Sequence, residues 1–414
     1  MIAVKCHLLI DGTGASALED VVIHVEDEGR IKSVQSAASV DTPPTASTLD
    51  WSSYTVLPGL VDSHTHLFLS STLQEGLIAQ GSQRSPFRTC LQAVANIRRD
   101  FESGVTSARA MGDDDGLVAE MSRAINGCLL SGPRLIDSFA IRPTHGTGVG
   151  FAHVADGIRE IRRTVRRGIA SGVDFIKLFA TNTVPGHDED AYRRGDLTIV
   201  PAYSEEEVKT AVEEAHRGGA RIAVHALGGP AMRWALEAGA DTIEHGNLSE
   251  ESDIDLFLRS GAVLSDPNFQ LFFDEEMGYE LKHFGEATPD WWRRKVASCR
   301  DQTRHVLRLA HAAGVPIALG SDPNHGELWR EPVHLAEQLD VSEIEAISAV
   351  TQIGARAVGL ESNVGTVEEG KLADLVAVVG NPLQDLRALR EVHFVMKEGT
   401  VFPGRRQLRP ERIK

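Results

Sequence analysis

Histidine, lysine and aspartate side chains recur at the ends of short apolar runs, and these are side chains that bind metal ions. The stretch Asp62-Ser-His64-Thr-His66 closes the run VLPGLV, and strand alternation points His64 and His66 to the same side. Both imidazoles could therefore hold one ion. Later apolar runs close on four further residues of this kind, Lys177, His225, His245 and Asp322.

Each of these residues alone has an ordinary structural explanation. A histidine near a strand end is commonly a core or surface residue, Lys177 could extend its ammonium out of the protein, and Asp322 could cap a helix. Together they place metal-ligand residue types at the ends of five separate runs. This coincidence favours one shared metal centre.

The apolar runs alternate with longer stretches of helical periodicity, which predicts buried parallel strands separated by helices. Eight such units over residues 56–360 predict a (β/α)8 barrel, in which the chemistry lies at the carboxyl ends of the strands. A doubly wound open sheet is the alternative, but it usually has a glycine-rich turn where this chain has His-x-His. The strand candidates are 56–62, 105–110, 134–141, 174–180, 221–226, 241–245, 262–266 and 316–322.

One helix carries its own start and stop signals. Ser204 and Glu207 form a capping-box pattern, and Gly218 and Gly219 end the helical periodicity.

The two ends of the chain have a different pattern. Within the terminal segments 1–55 and 361–414, residues 1–55 and 365–403 alternate apolar and polar positions around glycine-containing turns, which is typical of antiparallel strands. We expect both segments to pair into one small β-sandwich domain beside the barrel.

Composition limits the classes of partner. The chain has 42 Lys and Arg against 59 Asp and Glu, a formal net charge of −17, which disfavours nucleic acid and anionic membranes. The four cysteines are widely spaced, so neither a disulfide framework nor a cysteine zinc site is indicated. No signal peptide or long apolar segment is evident, so a soluble, cytoplasmic protein is expected. We also expect a small-molecule substrate and a homo-oligomer.

Several motifs resemble those of the amidohydrolase superfamily. They are PGLVDSHTH around His64, FIKL around Lys177, VHA around His225, IEHG around His245, LGSD around Asp322 and GKLADLVAV near the end. A lysine on strand four with single histidines on strands five and six is similar to the binuclear, prolidase-like branch. This resemblance implies that Lys177 carries a carbamate bridging two divalent ions, with zinc the expected metal.

The resemblance also implies a role for each residue. His64, His66 and Asp322 would hold the more buried ion, His225 and His245 the more exposed one, and Lys177 both. A hydroxide between the metals would be the nucleophile, with Asp322 as general acid and base. Two further residues lie nearby, Asp62, expected to orient a ligand, and His145, a candidate oxyanion donor.

The function implied is hydrolysis of an amide-type C–N bond in a dipeptide, N-acyl amino acid or aryl amide. An arylurea or carbamate hydrolase is an alternative, and a cyclic amidase or heterocycle deaminase is another. Deaminases of this superfamily usually have a glutamate three residues after the strand-five histidine, where this chain has Gly228. A non-catalytic scaffold typically lacks metal ligands, whereas none is missing here.

An aromatic-rich insertion follows strand seven and suggests a substrate with a bulky apolar part. Packing of these rings within the insertion is the alternative. A substrate carboxylate could be held by Arg109, Arg142 or Arg193, whereas a neutral anilide or arylurea would be favoured if none reaches the metals. The aromatic residues are Phe272, Phe273, Tyr279, Phe284, Trp291 and Trp292.

Overall fold

Strands from both ends of the chain form one sheet in the computed structural model, which describes residues 1–38, 46–71, 80, 85–112, 116–182, 193–194, 197–274 and 289–408. This sheet has seven strands in the order β17-β16-β15-β4-β1-β2-β3. The strands are β1 (Ile2–Leu9), β2 (Leu18–Val25), β3 (Ile31–Ser36), β4 (Ser47–Pro58), β15 (Leu375–Val378), β16 (Val392–Lys397) and β17 (Thr400–Pro403).

Pairing in this terminal sheet is mostly antiparallel, as the alternating pattern predicts. The exception is the β1–β4 pair, which is parallel. The N- and C-terminal segments meet where β4 pairs with β15. Trp51 stacks on Phe394 with ring centroids 5.3 Å apart, so aromatic packing also joins the two segments.

Parallel strands between these ends form the predicted barrel. Strands β5 to β7 make a three-stranded sheet, and β8 to β14 make a seven-stranded one. The strands are β5 (Leu60–Thr65), β6 (Val105–Ala110), β7 (Arg134–Ile136), β8 (Ser138–Arg142), β9 (His153–Val154), β10 (Phe175–Phe179), β11 (Arg221–Ala226), β12 (Thr242–His245), β13 (Val263–Ser265) and β14 (Ile317–Ala318).

Backbone hydrogen bonds between the first and last barrel strands close the barrel. Ser63 N donates to Leu319 O at 3.1 Å, and Asp322 N donates to His64 O at 2.9 Å. Because residues beyond β14 turn towards β5 to make these bonds, the last strand is shorter than the predicted 316–322. The third strand is interrupted at Asp137, between β7 and β8.

Helices cover the outside of the barrel and supply its apolar packing. The Ser204–Glu207 capping box is present, and Gly218 is the C-cap of that helix, as predicted. The helices are α1 (Pro86–Glu102), α2 (Leu117–Asn126), α3 (Gly157–Ala170), α4 (Glu205–Arg217), α5 (Gly229–Glu237), α6 (Ile254–Ser260), α7 (Phe269–Phe273), α8 (Asp290–Ala312), α9 (Arg330–Leu339), α10 (Glu343–Ala349) and α11 (Gln352–Val358). None of the described helices is long and apolar enough to cross a membrane.

The chain passes from the terminal sheet into the barrel at Gly59. β4 pairs with β15 up to Pro58, and Leu60 N then donates to Gly104 O at 2.9 Å. A Cβ at Gly59 would lie 2.1 Å from Thr106 Oγ1, so a larger residue at Gly59 would displace the Thr106 side chain on β6. The predicted strand 56–62 is therefore two strands in different sheets.

Gly320 gives a test of barrel closure. A Cβ there would lie 2.6 Å from His64 Cβ and 2.8 Å from His64 O. We expect Gly320→Ala to lower the free energy of unfolding by about 1–3 kcal/mol, the usual range for overpacking. Urea unfolding measures this loss.

The control is Gly127→Ala at the C-cap of α2, where the nearest atom to an added Cβ is 3.1 Å away and φ is −83°. A change in Gly320→Ala no larger than in this control would contradict the prediction.

Candidate metal centre

The predicted ligand side chains converge at the carboxyl ends of the barrel strands. The ring centroids of His64 and His245 are 5.0 Å apart, and those of His225 and His245 are 4.8 Å apart. His66 Nε2 lies 3.7 Å from Asp322 Oδ1. Potential ligand atoms of His64, His66 and Asp322 all lie within 4.8 Å of one another, which suits a shared metal ion.

Lys177 lies on β10 with its side chain fully buried. Its Nζ has no hydrogen-bond partner among the described residues and lies 5.4 Å from the centroid of the Phe179 ring. Burial lowers the pKa of Lys177 to about 8, so a larger share of the side chain is neutral amine than in an exposed lysine. A buried amine without a hydrogen-bond acceptor is the chemical feature that a carbamate or a bound cation would explain.

Three of the histidines have one ring nitrogen held by the protein. His64 Nδ1 donates to Glu244 Oε2 at 2.8 Å, and His245 Nδ1 donates to Asp266 O at 3.1 Å. Asn182 Nδ2 donates to His225 Nε2 at 3.1 Å. Such contacts fix the tautomer and leave the other nitrogen available as a ligand.

Electrostatics keep these imidazoles neutral, the form that binds metals. Burial, followed by the charge on Lys177, holds the pKa of His64 well below its usual range. Burial and the neighbouring His245 do the same for His225, and burial lowers the pKa of His245 to about 4. The centre is therefore prepared for cations without having to lose protons from histidine.

Asp322 lies beside the predicted ligand histidines. Burial raises its pKa to about 7, and Asn268 Nδ2 donates to its Oδ2 at 3.0 Å. The neighbouring Ser321 Oγ donates to Asp62 Oδ2 at 2.6 Å, and His64 N donates to Asp62 Oδ1 at 3.1 Å. Asp62 thus connects the first and last barrel strands, a contact that suits its predicted role in orienting ligands.

Arg109 forms a buried ion pair beneath the histidines. Its Nη2 donates to Glu244 Oε1 at 2.8 Å, and both side chains are fully buried. Further hydrogen bonds run from its guanidinium to Ser63 O, Thr242 Oγ1 and Ser265 Oγ. Arg109 is therefore a structural residue, and the hypothesis that it anchors a substrate carboxylate is wrong.

The other two arginine candidates have different surroundings. Arg142 Nη1 donates to the carbonyl oxygens of Pro143, Thr144 and Gly146, so it shapes the loop after β8. Arg193 is exposed and lies 5.3 Å from the centroid of the Trp291 ring. Neither contact directs a guanidinium at the metal ligands.

His145 lies in the same loop after β8, where its side chain is exposed. Within the described part of the chain it makes no contact with a predicted ligand side chain. Its role as an oxyanion donor stays a prediction.

The aromatic insertion packs mainly against itself. Phe272 and Trp292 are each 1% exposed and belong to one apolar cluster with Leu271 and Val296. This favours internal packing over a role in the pocket. Tyr279 and Phe284 lie outside the described residues.

Other aromatic rings lie beside the ligands. Phe151 is 5.1 Å from His66 and 5.8 Å from Phe179, and Phe179 is 5.2 Å from His225, measured between ring centroids. Phe68 is 5.2 Å from Phe151. The loops after β5 and β8 and the end of β10 therefore place an apolar wall next to the centre.

The sequence reasoning did not assign a role to Asp266, Glu244 or Asn182. Asp266 directly follows β13, so the rule that identified the other ligands would also have selected it. Glu244 precedes His245 in the IEHG motif, but its contact with His64 joins residues 180 positions apart. Sequence spacing does not reveal a contact of that kind.

The chain is similar in sequence to known proteins over most of its length. The amidohydrolase family profile matches residues 55–402. The chain is 28% identical to an ochratoxinase from Aspergillus niger over 382 residues, covering 84% of this chain and 76% of that protein. It is 26% identical over 403 residues to an imidazolonepropionase from Rhizorhabdus wittichii, covering 88% of this chain and 89% of the relative.

Solved structures show the same similarity in three dimensions. The crystal structure of a Xaa-Pro dipeptidase with methionine bound in its active site superimposes with a TM-score of 0.82. Sequence identity is 29%, and the match covers 97% of this chain and all of that chain.

The Arg109–Glu244 pair gives a test of how this centre is supported. Arg109→Met leaves a buried carboxylate without its partner, so we expect the free energy of unfolding to fall by about 3–5 kcal/mol. The double variant Arg109→Met/Glu244→Gln removes both charges and should recover part of that loss. Both losses are read from denaturant unfolding curves. Equal stability of the single variant and the wild type would show that the pair does not support the barrel.

Proposed function

Because the chain belongs to the amidohydrolase family, we propose that it is a binuclear metal-dependent hydrolase that cleaves an amide bond next to an apolar or aromatic group. The observation that carries this proposal is the buried Nζ of Lys177, which has no hydrogen-bond partner among the described residues and lies among neutral histidines and Asp322. The similarity to a Xaa-Pro dipeptidase supports a peptide or related amide as substrate.

The donor set fits two divalent ions. His64, His66 and Asp322 would hold one ion, His225 and His245 the other, and carbamylated Lys177 would contact both. Nitrogen donors from neutral histidines with carboxylate-type oxygen donors suit zinc, the metal we propose. When bound, such ions lower the pKa of a water molecule and polarise the scissile carbonyl group.

Asp322 supplies the proton transfer. Its carboxylate accepts a proton from the attacking water and delivers it to the leaving nitrogen, so the amine departs neutral. The hydrogen bond from Asn268 to Oδ2 orients the carboxylate, and Oδ1 faces His66. Burial favours this role because a carboxyl group with a raised pKa gives up its proton less readily to bulk water.

The surroundings favour a neutral apolar group beside the scissile bond. Phe151 and Phe179 line this side of the centre, whereas Arg109 and Arg142 are engaged with protein oxygens. An aryl amide or a peptide with an aromatic residue suits such a wall. The same observation favours an arylurea or carbamate as the second candidate, because these are also neutral and aromatic.

A substrate panel tests the proposal directly. The panel contains matched alanyl and phenylalanyl dipeptides, N-acyl amino acids, anilides, arylureas and aryl carbamates, each assayed with zinc-loaded protein. We expect the highest kcat/KM for aromatic amides. Ammonia release from a heterocycle, with none of the panel hydrolysed, would favour the deaminase alternative.

Lys177→Met should abolish hydrolysis and reduce bound metal below two ions per chain, because the bridging group is lost. Metal per chain is measured by elemental analysis, and the carbamate of the wild type by carbon-13 NMR after exposure to labelled CO2. An active, fully metallated protein with an unmodified Lys177 amine would contradict this mechanism.

Asp322→Asn should lower kcat by at least about 10²-fold, the lower range for a lost general acid or base. The amide keeps the size of the side chain but does not accept the proton. The matched control is Asp385→Asn, which removes a helix-capping carboxylate between β15 and β16, outside the centre. Near-normal turnover of Asp322→Asn at full metal content would mean that another group moves the proton.

A further inference from the structure

Asp266 is a buried carboxylate at the metal centre for which the predicted ligand set has no role. It directly follows β13, at the same end of the barrel as the ligands, and its residue is fully buried. Neither carboxylate oxygen accepts a hydrogen bond within the described part of the chain. Burying an unpaired carboxylate is costly, so its retention calls for a compensating charge.

Two predicted ligand imidazoles lie close to the Asp266 carboxylate. Its Oδ2 lies 3.5 Å from His245 Nδ1 and 3.6 Å from His64 Nδ1. Potential ligand atoms of His64, His245 and Asp266 lie within 4.8 Å of one another. The carboxylate therefore lies beside the Nδ1 atoms of two histidines that are assigned to different ions, the nitrogens that the protein itself holds.

The backbone also holds Asp266 in this position. Its φ is +48°, in the left-handed region that asparagine and aspartate tolerate better than most other residues. Its carbonyl oxygen accepts the hydrogen bond from His245 Nδ1 at 3.1 Å. One residue thus contacts the same imidazole through its main chain and approaches it with its carboxylate.

We propose that Asp266 is a charge-balancing and positioning residue of the metal centre, which strengthens the binding of divalent ions and orients His245. This inference rests on the proposed binuclear function. Two divalent ions bring four positive charges, whereas carbamylated Lys177 and Asp322 supply one negative charge each. Glu244 does not add to them, because Arg109 neutralises it. With the ions bound, Asp266 would contribute a further negative charge beside His64 and His245.

The test compares metal affinity in two variants of Asp266. Asp266→Asn keeps the shape and tolerates the left-handed backbone, but removes the charge. We expect its dissociation constant for Zn²⁺, measured by chelator competition, to rise about 10- to 100-fold, the usual effect of losing a residue that supports ligands. Asp266→Glu keeps the charge and should retain more affinity than Asp266→Asn.

The matched control is Asp274→Asn in the segment that follows α7. Asp274 is also buried, but it pairs with Arg330 at 2.8 Å and His334 at 3.1 Å, away from the ligand histidines. Its loss should affect thermal stability while leaving the Zn²⁺ affinity unchanged. Circular dichroism of the metal-free proteins separates folding defects from metal binding.

The outcomes separate this inference from the proposed function. Both proposals are supported if the wild type binds two Zn²⁺ ions and Asp266→Asn binds Zn²⁺ more weakly than the wild type. Asp266→Glu must also bind Zn²⁺ more tightly than Asp266→Asn. If the wild type and Asp266→Asn have equal Zn²⁺ affinity, or if Asp266→Asn and Asp266→Glu do, the role of Asp266 is overturned while the proposed function still stands. Wild-type protein that binds fewer than two ions overturns the binuclear function and this inference with it.

Discussion

The metal centre depends on one interaction inside the barrel, the buried ion pair of Arg109 and Glu244. Arg109 extends across the interior from β6 and donates hydrogen bonds to main-chain or side-chain oxygens of β5, β12 and β13. Glu244 in turn accepts a hydrogen bond from His64. Burying these two charges away from water costs free energy. The attraction between them offsets that cost only when their hydrogen bonds are also formed. The position of the first ligand histidine is therefore fixed by the packing below it.

This support explains why neutral imidazoles and carboxylates can coexist in a buried space. The guanidinium balances Glu244, so Glu244 can orient His64 without adding net negative charge. Asp62 performs a related task between strands one and eight, where it accepts hydrogen bonds from His64 N and Ser321. The ligands are thus held by polar contacts within the protein before any cation binds.

Sequence patterns predicted the elements well where the pattern was local. The strands at 105–110 and 221–226 have the expected bounds, and the predicted ligand residues were identifiable because each lies on a short apolar run or directly follows one. Contacts between residues far apart in the chain leave no such local sequence pattern. Asn182 contacts a histidine 43 positions away, and the last strand is short because its end bonds to the first. The aromatic insertion shows the same limit, since composition does not say which way Phe272 and Trp292 face.

The passage through Gly59 has a mechanical consequence. A single residue separates the last pair of the terminal sheet from the first hydrogen bond of the strand that carries His64. Linkers of several residues allow hinge bending between domains. A one-residue junction does not, so a rotation of the terminal sheet would also rotate β5. The terminal sheet therefore acts as a rigid extension of the first barrel strand, and admitting a substrate falls to the loops beyond the strand ends.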